Sequence, residues 1–129
     1  MVDASVLANV VGDDGREGQL ARAEFRSAVD IAAPDLVDVE TVAVLRKRWL
    51  AGTLTERRFG SAVDDLEAIA LERYPTLPLM RRAYGLRANV TAYDAAYVAL
   101  AEALGCELLT GDQRLANAPG PQCAIRVLT

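Results

Sequence analysis

The stretch Thr91–Asp112 reads TAYDAAYVALAEALGCELLTGD, and it decides the fold. Thr91 is a helix cap, and Asp94 follows three residues on, the spacing of a reciprocal cap. The run from Ala92 to Leu104 has no breaker, and Gly105 closes it. Cys106 to Thr110 then forms a short apolar run, too short for a helix, ending at the turn Gly111-Asp112. A helix that feeds an apolar strand with an acid just beyond its end is one half of an α/β repeat.

Working outward, the same alternation covers the chain. Toward the C-terminus, a short helix follows Asp112 through Ala116, Gly120-Pro121 makes a loop, and Ala124–Leu128 reads as a last strand. Toward the N-terminus, Leu79–Arg87 is a short helix behind the prolines Pro75 and Pro78, and Ala70–Arg73 is a strand. Thr55 caps a helix to Ala68. Ile31-Ala32-Ala33 is a strand, after which Pro34 is expected to open a long helix over Asp35–Leu50 that Gly52 stops. Arg16–Ala28 is an amphipathic helix, and a very short strand at Val2-Asp3 precedes a helix from Ser5. Alternating strands and helices predict an α/β protein with a mainly parallel sheet of four to five short strands and helices on both faces.

Composition sets bounds on function. The 129 residues suit a single domain, residues 1–129, and the hydrophobic fraction of 52% argues against disorder. Mean hydropathy is +0.13. No apolar run of about 18 residues is present, so no membrane helix is expected, and the start Met1-Val2-Asp3 has no secretory signature. Cys106 and Cys123 read as thiols in a reducing cytoplasm. The chain has no histidine, which removes Ser-His-Asp and Cys-His chemistry and argues against zinc. The net charge of −4 is unlike that of a simple nucleic-acid-binding module. Chemistry must therefore come from carboxylates, hydroxyls, thiols, tyrosines or arginines.

In parallel sheets, sites form beyond the carboxyl ends of the strands. Asp3 follows the first strand and Asp112 follows the strand Cys106–Thr110, so both fall at that edge, and Asp94 joins them if its helix begins there. Glu40 shares a helix face with Leu36, Val37, Ala43 and Val44, an apolar stripe interrupted by one carboxylate. A buried carboxylate needs a partner. Two such charges about 5 Å apart repel by roughly 3 kcal/mol at an effective dielectric near 20. Mg²⁺ or Mn²⁺ would relieve the repulsion, and either could activate a water and stabilise charge on a phosphate. Each acid also has a plainer role: capping for Asp3, Asp94 and Asp112, and a partly exposed face for Glu40. Asp13, Asp14, Asp64, Asp65 and Glu67 are assigned to solvent.

Four segments resemble the PIN-domain family, and more narrowly its VapC-type toxins. They are Val2-Asp3-Ala4-Ser5-Val6-Leu7, Pro34-Asp35-Leu36-Val37-Asp38-Val39-Glu40, Thr91-Ala92-Tyr93-Asp94-Ala95-Ala96-Tyr97, and Leu109-Thr110-Gly111-Asp112-Gln113-Arg114-Leu115. Their order and spacing cover nearly the whole chain. The resemblance implies a three-layer α/β/α sandwich and an acidic Mg²⁺ site built by Asp3, Glu40, Asp94 and Asp112, with Ser5 and Thr110 supporting it through hydroxyl hydrogen bonds. It implies an endoribonuclease acting on structured RNA such as tRNA or ribosomal RNA, a homodimer, and inhibition by a cognate antitoxin protein. Two departures stand out. Only two residues precede Asp3, and Gln113, Arg114 and Asn117 occupy positions where some members carry a further acid.

Other readings compete: a PIN-fold nuclease of ordinary RNA processing, a catalytically silent protein-binding module, and a phosphatase with an aspartyl nucleophile. The last usually needs a second aspartate where this chain has Ser5. Arginine outnumbers lysine 13 to 1. The groups Arg46-Lys47-Arg48, Arg57-Arg58, Arg81-Arg82 and Arg87 read either as phosphate-binding patches or as solvated helix faces. Tyr93, Tyr97, Leu100 and Leu104 form a stripe expected to pack in the core. Trp49 is left open between core and interface.

Overall fold

The computed structural model describes residues 1–129. Its elements run α1 (Ala4–Gly12), α2 (Arg16–Ser27), β1 (Ala32–Pro34), α3 (Leu36–Leu50), α4 (Glu56–Ala68), β2 (Glu72–Tyr74), a 3₁₀ turn (Leu77–Leu79), α5 (Met80–Gly85), α6 (Ala92–Leu104), β3 (Leu108–Thr110), α7 (Gln113–Asn117) and β4 (Ile125–Val127). No helix is long and apolar enough to cross a membrane.

The strands are short but join into one parallel arrangement. β1 pairs with β2 in the register Ala32↔Glu72, and β3 pairs with β4 in the register Leu108↔Ile125. The N-terminal residues bridge the two pairs. Val2 forms a parallel bridge to Leu109, and its N–H donates to the Ala32 carbonyl at 3.3 Å. The Leu109 N–H donates to the Met1 carbonyl at 2.9 Å, and the Asp3 N–H to the Leu109 carbonyl at 3.2 Å. The order is thus β2, β1, the segment Met1–Asp3, β3, β4. The central segment contributes little more than a bridge. Helices α1 to α4 pack together and α5 packs on α6, and both groups cover the sheet in an α/β/α arrangement.

Local chemistry explains where elements begin and end. The Thr91 hydroxyl accepts the Asp94 N–H at 3.2 Å to start α6. Gly105, at φ +64°, ends it in the left-handed region that favours glycine. Between these ends α6 is buried on almost every side, from Ala95 through Ala101, and its alanines let it lie close to the strands. The core joins Leu7, Val37, Leu45, Tyr97, Val98 and Leu108 from four elements. Each of the leucines contributes about 1.5–3 kcal/mol by leaving water. Gly18 marks one forced contact, since a Cβ there would sit 1.8 Å from the Asp13 carbonyl oxygen.

Four expectations need correction. Pro34 does not open α3; it ends β1 opposite Tyr74, and the Asp35 N–H donates to the Tyr74 carbonyl at 2.7 Å. Proline lacks a donor but still accepts and extends well, so the end of a short strand suits it. The strand expected at Ala70–Arg73 is shifted to Glu72–Tyr74. The aromatic stripe of α6 divides, with Tyr97 and Leu100 buried but Tyr93 64% exposed and Leu104 also exposed. Asp13 is not simply solvated, because its carboxylate accepts the Gly15 and Gly18 N–H groups and fixes the turn between α1 and α2. Trp49 is partly exposed and lies in tilted contact with Phe59 on α4, with ring centroids 6.5 Å apart. Cys106 and Cys123 are half-buried free thiols.

Candidate active site

Asp3 stands where the central segment of the sheet turns into α1, and it caps that helix by accepting the Val6 N–H at 3.1 Å. It is only 6% exposed, so its remaining lone pairs need partners from the protein. Two hydroxyls supply them. Ser5 Oγ donates to Oδ1 at 2.5 Å, and Thr110 Oγ1 donates to Oδ2. Both hydroxyls also accept from the loop after β3: the Gly111 N–H donates to Ser5 Oγ at 2.9 Å, and the Asp112 N–H donates to Thr110 Oγ1 at 3.0 Å. Two parallel relays, N–H to hydroxyl to carboxylate, therefore lock the first acidic segment to the fourth. Capping and support are one arrangement here, not alternatives.

The other acids are held more loosely. Asp112 caps α7 by accepting the Arg114 N–H at 2.8 Å, and the Arg114 guanidinium approaches it at 3.4 Å. Asp94 sits in the first turn of α6, and its carboxylate accepts no hydrogen bond from another segment. Glu40 lies at the edge of the buried face of α3, which is Val37, Thr41 and Leu45 and excludes the exposed Ala43. Glu40 Oε1 accepts the Tyr97 hydroxyl at 2.7 Å. Tyr97 is thus a site residue that the sequence reading placed only in the core. Its signal was a phenol one turn beyond Asp94, on the same helix face.

Burial, first of all, pushes the carboxyls of Asp3, Asp94 and Glu40 above their ordinary values. Mutual repulsion adds to this: Asp3 and Asp112 raise Asp94, while Asp94 and Asp3 raise Glu40. Hydrogen bonds from Ser5, Thr110 and Val6 partly offset the effect at Asp3, and that from Tyr97 does so at Glu40. Tyr97 itself is pushed far up, chiefly by burial and then by its bond to Glu40, so it stays a neutral donor.

All four acids come within electrostatic reach at the carboxyl edge of the sheet, yet no three of them stand in a geometry that could hold a metal ion. Asp112 instead leans to Arg114, and Glu40 to Tyr97. As a donor set they suit a hard divalent cation, being all oxygen with no histidine or thiolate among them.

Fold and site together define an α/β protein with an acidic site at one edge of a parallel sheet. The PIN domain family model matches residues 1–121. Ribonuclease VapC1 of Mycobacterium tuberculosis is 39% identical over 99% of this chain and 96% of its own length. VapC ribonuclease Mb0985 of Mycobacterium bovis is 40% identical over 99% of this chain and 97% of its own. A solved structure, PAE2754 from Pyrobaculum aerophilum, superposes with a TM-score of 0.64 over 98% of this chain and 81% of that one; at 23% identity it shares the fold. The chain belongs to the PIN-domain family and, within it, to the VapC ribonucleases.

Proposed function

We propose that the protein is a Mg²⁺-dependent endoribonuclease, the toxin of a toxin–antitoxin pair, cutting structured RNA such as tRNA or ribosomal RNA. The observation that carries this reading is that Asp3, Glu40, Asp94 and Asp112 lie within electrostatic reach at one edge of the sheet, in a chain that matches VapC ribonucleases along nearly its whole length. In this reading the four carboxylates hold the ion, with Mn²⁺ as a substitute. A bound divalent ion supplies an activated water and neutralises charge developing on the cleaved phosphate. Ser5 and Thr110 fix the rotamer of Asp3 from below. Tyr97 presents a neutral hydroxyl that aims Glu40. An antitoxin protein that covers the acidic edge and a homodimeric assembly complete the reading.

The test is incubation of purified protein with total RNA, with Mg²⁺ or with chelator. Cleavage is expected only with Mg²⁺. Cutting that survives chelator removes the metal role, and no cleavage of any RNA by protein freed of its partner removes the nuclease reading.

A further inference from the structure

Six of the thirteen arginines are engaged by a carboxylate or an aromatic ring. Arg58 pairs with Asp14, Arg73 with Asp38, Arg82 with Glu102, Arg114 with Asp112, and Arg126 with Glu24 and Glu107. The Arg87 guanidinium lies over the Tyr84 ring. Among the others, Arg22 donates to the Val10 and Asp13 carbonyls, and Arg48, near the end of α3, shares a cavity with Ser5 and Gly111. Arg48 makes no ion pair, is half-buried, and is held by a neutral partner, donating through Nη2 to Asn9 Oδ1 on α1 at 2.6 Å. A neutral anchor orients the guanidinium while leaving its positive charge available.

Arg48 lines a cavity of about 250 Å³ together with Ser5 and Gly111, the same residues that tie Asp3 to the β3 loop. Apolar side chains Val6, Leu20, Val44 and Leu128 form much of its wall. Glu17 is the one carboxylate in the lining, and it forms no ion pair with Arg48. The cavity falls just below the size that encloses a drug-like ligand, which suits part of one nucleotide. Arg48 is two helical turns, about 12 Å, along α3 from Glu40. That separation exceeds the reach of one phosphate.

Resting on the ribonuclease reading above, we propose that Arg48, oriented by Asn9, binds an RNA backbone phosphate flanking the one that is cut, with the attached sugar against Val44 and Leu128. The site offers a charge and an apolar wall, so it sets affinity and register rather than base identity. Glu17 tempers the affinity. The continuity of the cavity with the acidic edge favours RNA over a protein partner as occupant.

The test uses a short fluorescein-labelled RNA oligonucleotide of mixed sequence, with anisotropy read over a salt series in chelator, so that binding is measured without cleavage. Arg48→Gln is expected to weaken binding about tenfold and to lower the salt slope by roughly 0.7, one phosphate's share on a single strand. Arg48→Lys recovers part of the affinity by restoring the charge without the fork, and Glu17→Gln tightens binding. Asn9→Ala lies between wild type and Arg48→Gln. If Arg48→Gln is unstable by thermal melt, Arg48→Lys and Asn9→Ala carry the same comparison. With bulk tRNA and Mg²⁺, Arg48→Gln is expected to raise KM and leave kcat within about twofold. Unchanged RNA affinity and salt slope in a folded Arg48→Gln protein overturn the proposal, as does a loss confined to antitoxin binding. Failure of the wild type to cleave RNA refutes the nuclease reading instead, and the anisotropy series then still decides the phosphate site.

Discussion

The floor and the rim of the acidic site are built on opposite principles. At the floor, Asp3 is sealed from water and receives hydrogen bonds from Ser5, Thr110 and the start of α1. At the rim, Asp94, Asp112 and Glu40 are half-exposed and repel one another, and Asp94 has no partner from another segment. The floor spends its acid on architecture, holding α1 to β3. The rim leaves charge uncompensated where a cation would be most useful. In the proposed metal-dependent reaction, this division would let one fixed carboxylate set the position while looser ones close around the ion.

The comparison predicts different failures on the two sides. The largest effect is expected at the floor. Asp3→Ala leaves two hydroxyls and the Val6 N–H without their acceptor, so it is expected to cost about 2–4 kcal/mol of stability together with all cleavage. A denaturation midpoint unchanged from wild type would show that the relays carry no load. At the rim, Asp94→Asn is expected to lower cleavage by more than the roughly 10–100-fold that ligand-orienting partners cost, while the fold melts no earlier than wild type. Thr110→Val, which removes one relay and keeps the shape, is expected to lower activity by about 10–100-fold, read as single-turnover rates against Mg²⁺ concentration.

Smaller effects sharpen the contrast. Because burial and repulsion raise the Asp94 carboxyl above its ordinary 3.8, the folded metal-free protein holds its proton more tightly than the unfolded chain does. Its stability contribution is therefore complete below 3.8 and is lost as pH rises through the raised value. The melting-temperature advantage of Asp94→Asn over wild type in chelator should grow from acid toward neutrality, and an advantage that shrinks over that range would contradict the repulsive rim. The smallest effect lies one residue from Glu40. Thr41 Oγ1 is buried without a partner, so Thr41→Val is expected to stabilise by about 1 kcal/mol and leave cleavage intact, read by chemical denaturation.

Much of the plan was legible in the residues because its signals are local. Thr91 and Gly105 bracket α6 by capping chemistry acting within a turn, and the acids after short apolar runs mark the strand ends. The local pattern is ambiguous where one residue type serves two roles. Pro34 suits both a strand end and a helix start, and the paired strand β2, distant in sequence, decided between them. Tyr93 and Tyr97 share a periodicity, but only the position of the sheet tells which one is covered.

The sequence by itself determined the alternation of elements, the edge at which Asp3 and Asp112 must lie, and the absence of any histidine from the chain. Those follow from backbone periodicity and residue chemistry, which act over a few positions. Only the tertiary structure decided that the Thr110 hydroxyl reaches Asp3 from the far end of the chain, that Tyr97 meets Glu40, and that Arg48 is anchored by Asn9 rather than by an acid. These are contacts between segments far apart in sequence, set by how helices and strands pack to exclude water, and no local pattern encodes them.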